Sequence, residues 1–294
     1  MANSRAAVNG GYHSPQANEP DTQEPDTEEP DTEEDLPMLR RTVALALLLP
    51  CVASAQDDFA NIGHFAADNA ALGEAGRGED RIVFMGDSIT AGWSDASPDF
   101  FIGRPYIERG IGGQTTPQML GRFRADVVAL EPAAVVILAG TNDVAGNTGP
   151  ATNAEIEGNL ASMAEIASAN GIRVVLSSIL PVFDYPWRPG LQPAGRIAAL
   201  NAWIRSYADE NDHVYVDYYS AFVDDRGGMK AEYTTDGVHV NAAGYAVMEG
   251  LAEAAIAEAL GRPAPGSESE APQFFRPLNG CARTTSRKRP VDCD

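Results

Sequence analysis

Histidine, cysteine and basic charge are all scarce in this 294-residue chain, and each scarcity narrows what it can do. Its four histidines are His13, His64, His213 and His239, so imidazole chemistry has few candidates. Its three cysteines, Cys51, Cys281 and Cys293, all fall outside residues 56–261, so the central fold cannot depend on disulfides. No stripe of Lys or Arg crosses the middle to offset a formal net charge of -21. Such a chain repels nucleic-acid phosphates and anionic membrane surfaces, which argues against nucleic acid as a partner. The apolar run Thr42 to Val52 is shorter than the about 20 residues a bilayer-spanning helix needs.

The two ends differ from the middle. Residues 1–37 hold ten acidic side chains against one arginine, and residues 19–35 repeat Glu-Pro-Asp-Thr three times. Proline and like charge at that density cannot build a packed core, so 1–37 is expected to be a disordered acidic tail. Residues 38–55 follow as Met-Leu-Arg-Arg, a short apolar stretch and Ala53-Ser54-Ala55, the layout of a secretory signal peptide. Met38 is then the expected true start, with a genuine acidic extension as the alternative. Leu49-Pro50 before Cys51 and Val52 after it make a poor lipidation site. The expected location is secreted or periplasmic, with no stable membrane insertion after signal cleavage. Residues 262–294 show no periodicity and are expected to be a disordered tail, in which Cys281 and Cys293 are free to pair in an oxidising compartment.

Residues 56–261 alternate strand, loop and helix. Arg81–Met85, Ala134–Leu138, Arg173–Ser177 and Val214–Asp217 are short apolar runs of the kind that make buried parallel strands. Thr116–Leu130, Thr152–Asn170, Gly195–Glu210 and Ala242–Leu260 carry helical periodicity, the first opened by Thr116-Pro117 and the second closed by Gly171. Strands alternating with helices predict right-handed crossovers and a parallel sheet covered on both faces. Sites in such sheets form in the loops at the carboxyl ends of the strands.

The polar motifs sit at those loops. Gly86-Asp87-Ser88-Ile89-Thr90 presents a serine just after the first strand, and Asp236-Gly237-Val238-His239 places a carboxylate three residues before an imidazole. A nucleophilic serine needs a base, and the base needs an orienting carboxylate. Of the four histidines only His239 has that neighbour in a loop-like setting. Arg109-Gly110-Ile111-Gly112-Gly113-Gln114-Thr115-Thr116 leaves backbone N–H groups unshielded, yet it lacks the lysine of a phosphate-cradling loop. Ala139-Gly140-Thr141-Asn142-Asp143 sets an amide where it can donate to a developing oxyanion. Taken singly, each is also an ordinary turn.

Together, in this order, the four blocks resemble those of the SGNH, or GDSL, hydrolase family over about residues 80–260. The resemblance implies a flavodoxin-like three-layer α/β/α sandwich with a central five-stranded parallel sheet. It implies ester hydrolysis without metal or other cofactor. Ser88 is then the nucleophile, His239 the general base and acid, and Asp236 its orienting partner. The Ser88 and Gly113 N–H groups and the Asn142 amide become the oxyanion hole. Arg109 departs from the asparagine often found at that place in the family.

Between the third and last blocks runs Ser178–Pro189, an aromatic and proline-rich loop that is expected to line a pocket. Its aromatic faces and Arg188 suit a sugar ring or an acyl chain equally. The expected substrate is a small-molecule or carbohydrate ester with a short acyl group, acetyl above all. The alternatives are an acyltransferase using the same residues, or a lysophospholipase or thioesterase acting on longer chains. A carbohydrate-binding protein with a vestigial site has no reason to keep all four blocks. Oligomeric state leaves no trace in the sequence.

Overall fold

Five short segments of the computed structural model lie extended and side by side: β1 (Ile82–Gly86), β2 (Tyr106–Gly110), β3 (Ala134–Leu138), β4 (Arg173–Ser177) and β5 (Val214–Val216). All pairings are parallel, in the order β2-β1-β3-β4-β5. The structure describes residues 58–76 and 78–263. The acidic segment 1–37, the signal-like segment 38–55, the tail beyond Pro263 and all three cysteines lie outside the described residues. Among those described, the α-helices are α1 (Ala66–Leu72), α2 (Ser88–Ala96), α3 (Thr116–Asp126), α4 (Thr141–Ala145), α5 (Asn153–Ala169), α6 (Ala194–Glu210), α7 (Tyr218–Phe222) and α8 (Ala242–Ala259).

The strands are apolar on both sides because both sides are covered. Successive side chains alternate across a strand. Val83, Met85, Val135, Ile137, Val174 and Leu176 enter one core with Met119 and Phe123 of α3, Leu160 and Met163 of α5 and Leu200 and Ile204 of α6. Ile82, Phe84, Val136, Leu138 and Val175 enter the other, with Ile89 and Trp93 of α2 and Tyr245, Met248 and Ala252 of α8. The result is the three-layer flavodoxin-like sandwich with a five-stranded parallel sheet. The chain leaves β1 for one neighbour, β2, and returns past it to β3 on the other side. The carboxyl ends of β1 and β3 therefore flank the point where the winding reverses, the usual place for a ligand in such sheets.

Two devices fix the end of β1. Gly86 is extended, and a Cβ there would lie 2.0 Å from Thr90 Oγ1 and 3.0 Å from the Leu138 carbonyl oxygen. The glycine serves close packing of α2 on the sheet. α2 itself is pinned by aromatic rings. Trp93 stacks on Phe100 at 5.0 Å with 7° between planes, and on Tyr245 at 5.6 Å, while Tyr245 Oη donates to the Ile89 carbonyl at 2.8 Å.

Other departures from the sequence pattern are local. The strand pattern has four members; the fifth strand, β2, is an edge strand carrying Glu108 and Arg109, so it lacks an apolar run. The helix expected over Thr116–Leu130 ends at Asp126, and Val128–Leu130 forms a separate 3-10 turn. Val127, at φ -126°, breaks the helical path there. Ser88 opens a nine-residue helix, with the Asp87 carboxylate accepting the Ile89 N–H at 2.9 Å as its cap. Arg262, read as the start of a disordered tail, still belongs to the turn after α8: its N–H donates to Ala257 and its guanidinium pairs with Asp80.

Candidate active site

Ser88, His239 and Asp236 come from the two ends of the domain and meet above β1. Ser88 begins α2, directly after β1. His239 lies in the loop before α8, which packs on the same face of the sheet as α2. The Ser88 Oγ to His239 Nε2 distance is 3.1 Å, and His239 Nδ1 to Asp236 Oδ2 is 2.7 Å. A carboxylate only accepts, so the Asp236 contact assigns the ring proton to Nδ1 and leaves the Nε2 lone pair for the serine hydroxyl.

The Asp236 turn is built to hold that orientation. Its Oδ1 accepts the backbone N–H groups of Val238 at 2.9 Å and His239 at 2.7 Å. Burial alone raises this carboxyl, but the His239 ring and these backbone donors outweigh it and hold the group below the ordinary carboxylate range. The side chains are open to solvent, His239 by 41% and Asp236 by 37%, so water reaches the imidazole.

The glycine-rich loop abuts the serine. A Cβ added at Gly112 would lie 3.9 Å from Ser88 Cβ, and Gly113 adopts φ +76°, a left-handed conformation that favours glycine. Asn142 lies in the first turn of α4, after β3, and is buried. Its Nδ2 donates to the Gln114 carbonyl at 3.0 Å, joining β3 to the glycine loop. The neighbouring Asp143 accepts both the Thr116 N–H and its hydroxyl, the latter at 2.6 Å, and so clamps α4 to α3. Hydroxyl, imidazole and carboxylate joined in this way, beside amide donors, are the components of acyl transfer. Of the other histidines within the described residues, His64 and His213 stand apart: His64 contacts Asn61 and Phe65, and His213 packs near Tyr207 just ahead of β5.

The Ser178–Pro189 loop divides its labour. Tyr185 is buried, its hydroxyl meeting the Thr141 carbonyl at 2.9 Å. Trp187 is 43% exposed, with its ring centroid 6.2 Å from that of His239. Arg188, open to sugar or acyl readings by sequence, donates to the Ala145 carbonyl at 2.8 Å and lines a recess of about 440 Å³ with Gly146, Leu191 and Arg196. Ser88 does not line that recess. Arg109, the departure from the family pattern, donates to Asn69 Oδ1 at 2.9 Å and sits over the Phe65 ring, away from Ser88's hydrogen bonds.

With this geometry, comparison with known proteins is decisive about kinship. The model of the GDSL-like lipase/acylhydrolase family matches residues 84–247. The chain belongs to that family. A solved GDSL-like lipase of Bacteroides thetaiotaomicron is 49% identical, with a TM-score of 0.67, over 68% of this chain and 99% of its own. The esterase TesA of Pseudomonas aeruginosa is 29% identical over 175 residues, 54% of this chain and 78% of the esterase. The uncharacterized lipoprotein YqeF of Bacillus subtilis is 27% identical over 189 residues, covering 53% and 78%. Among the described residues of this GDSL-like acylhydrolase, no helix is long and apolar enough to cross a membrane.

One neighbour of Ser88 escaped the sequence reading. Asp87 is 1% exposed, and its Oδ2 has no hydrogen-bond partner. Burial pushes its carboxyl up to about 7, against the pull of the Ile89 N–H. A folded value raised above the unfolded 3.8 gives stability that is full below pH 3.8 and lost as pH rises through about 7. Asparagine mimics the protonated acid and keeps the cap. Asp87→Asn is therefore expected to gain on the parent by roughly 3–4 kcal/mol between pH 4 and pH 8. Urea unfolding at both pH values measures it; a difference that stays constant with pH rules it out.

Proposed function

We propose that the protein is a serine esterase that hydrolyses carboxylic esters through an acyl-enzyme. Ser88 is the nucleophile, His239 the general base and then acid, and Asp236 the orienting carboxylate. The N–H groups of Ser88 and Gly113 and the Asn142 amide form the oxyanion hole. The single observation that carries this reading is the continuous Ser88–His239–Asp236 relay, at 3.1 and 2.7 Å, at the reversal point of the sheet. His239 takes the Ser88 proton as Oγ attacks the ester carbonyl and hands it to the departing alcohol. Water, activated by the same ring, then frees the acid and regenerates the serine. Asn142 is suited to the oxyanion because only one of its two amide hydrogens is engaged by Gln114.

The substrate class follows from the surroundings. The site is open, with exposed Trp187 beside His239, and the charge of the chain disfavours an anionic bilayer. A soluble short-chain ester fits better than a membrane lipid, and acetylated carbohydrate is the natural form of it. The signal-like segment at 38–55 supports an activity outside the cytoplasm, in the periplasm or medium. Passing the acyl group to an alcohol rather than water is the competing reading, since the exposed imidazole admits either.

p-Nitrophenyl esters from acetate to palmitate, offered to the full chain with and without glycerol, test both. Turnover is expected to peak at the shortest acyl chains, with glycerol adding nothing. A palmitate optimum overturns the substrate class; acceleration by glycerol, with glyceryl ester as product, overturns hydrolysis.

A further inference from the structure

Asn147 belongs to none of the sequence motifs, yet α4, the glycine-rich loop and the Ser178–Pro189 loop converge on it. Its Nδ2 donates to Asn142 Oδ1 at 2.8 Å and to the Gly113 carbonyl at 3.3 Å, and its Oδ1 accepts the Trp187 indole N–H at 3.2 Å. A side-chain amide presents two nearly isosteric ends, so its direction is set by its partners. An indole N–H can only donate. Trp187 therefore fixes the oxygen of Asn147, which turns its NH2 toward Asn142. Asn142 must then offer its oxygen to Asn147 and its NH2 away from it, where the Gln114 carbonyl accepts one hydrogen at 3.0 Å.

We infer that Asn147, oriented by Trp187, is a positioning residue that holds the Asn142 NH2 and the Gly113 loop in the donating arrangement an oxyanion hole requires. This rests on the esterase reading of Asn142. Without Asn147, Asn142 hangs on a single hydrogen bond to Gln114 and pivots about it, and its buried oxygen seeks another donor. The same side chain ties Gly113 to Asn142, so two of the three proposed oxyanion donors lose their common brace. Trp187 also stands 6.2 Å from His239, ring to ring. A substrate leaning on the indole thus presses on the residue that orients the amides.

A double-mutant cycle separates positioning from a general structural role. Asn147→Ala is expected to lower kcat about 10-fold, below the about 10²–10³-fold of losing an oxyanion donor outright, with KM changed by less than about twofold. Trp187→Phe, which keeps a ring and loses the N–H, is expected to lower kcat in the same sense by less. In an Asn142→Ala background both changes are expected to cost less than about twofold. Equal losses in both backgrounds, no loss in either, or an effect confined to KM overturns the inference. Should the parent show no turnover that Ser88→Ala abolishes, the esterase reading fails on its own account. A crystal structure of Asn147→Ala then decides the positioning: an Asn142 side chain that has left Gln114 or spread over two rotamers supports it, and one that has not moved refutes it.

Discussion

Ser88→Ala is expected to cost about 10⁴–10⁶-fold in kcat on p-nitrophenyl acetate while leaving the thermal midpoint within a degree or two. Both halves follow from the geometry. The Ser88 hydroxyl has one hydrogen-bond partner, His239 Nε2, and its side chain carries no part of the aromatic packing that anchors α2. Deleting it removes the attacking atom and nothing that holds the helix. His239→Ala should cost nearly as much, and the double variant little more than either single one, because the residues act as a unit. Asp236→Asn tests the relay from its far end. An amide NH2 turned to Nδ1 favours the proton on Nε2, which then cannot accept from the serine, so a loss approaching about 10⁴-fold is expected. A fluorophosphonate should add its mass to the parent and not to Ser88→Ala. A variant that keeps more than a few per cent of the parent turnover removes Ser88 from the chemistry.

What the sequence revealed of this molecule depends on whether a residue's surroundings are local. The bounds of β3 and β4 are readable to the residue because those central strands are buried on both faces and spell nearly unbroken apolar runs. β2 is not, since an edge strand needs only half its side chains inside, and Glu108-Arg109 interrupts the pattern. Ser88 and His239, 151 positions apart, were legible as a pair because each sits in a short block with its own chemical signature, and so few histidines compete. Asn147 and Trp187 carry no such signature. Their importance lies in hydrogen bonds between loops that only the fold brings together, and a tryptophan in a proline-rich loop was the one hint available. Asp87 reads as a surface-type carboxyl by composition; only the packing of α2 over β1 shows that it is buried.

Arg122 supplies the largest expected effect on stability. Its guanidinium is fully enclosed and donates to four acceptors: the Gly86 carbonyl at 3.0 Å, the Arg109 carbonyl at 2.9 Å, Gln114 Oε1 at 2.6 Å and Asp126 Oδ2 at 3.1 Å. Gly86 and Arg109 lie at the carboxyl ends of β1 and β2, and Gln114 closes the glycine-rich loop, so one side chain ties the floor of the site together. Arg122→Ala strands the Asp126 charge, whose remaining partner is the Asn69 amide at 2.8 Å, and is expected to destabilise by about 3–5 kcal/mol. For a domain of this size that is a fall of roughly 6–20 °C in the thermal midpoint. Replacing the pair together, Arg122→Met with Asp126→Leu, removes the stranded charge and should recover part of the loss. It should not recover all of it, because the Arg109 carbonyl and the Gln114 amide still lose their donor. Arg122→Lys keeps a charge but not the planar fork, and should fall between. Urea unfolding of the three variants orders them, and a loss below about 1 kcal/mol for Arg122→Ala would mean that water or a neighbouring donor takes over the buried acceptors. The same variant should lower kcat as well, since the carbonyl it releases on Gly86 stands two residues before Ser88.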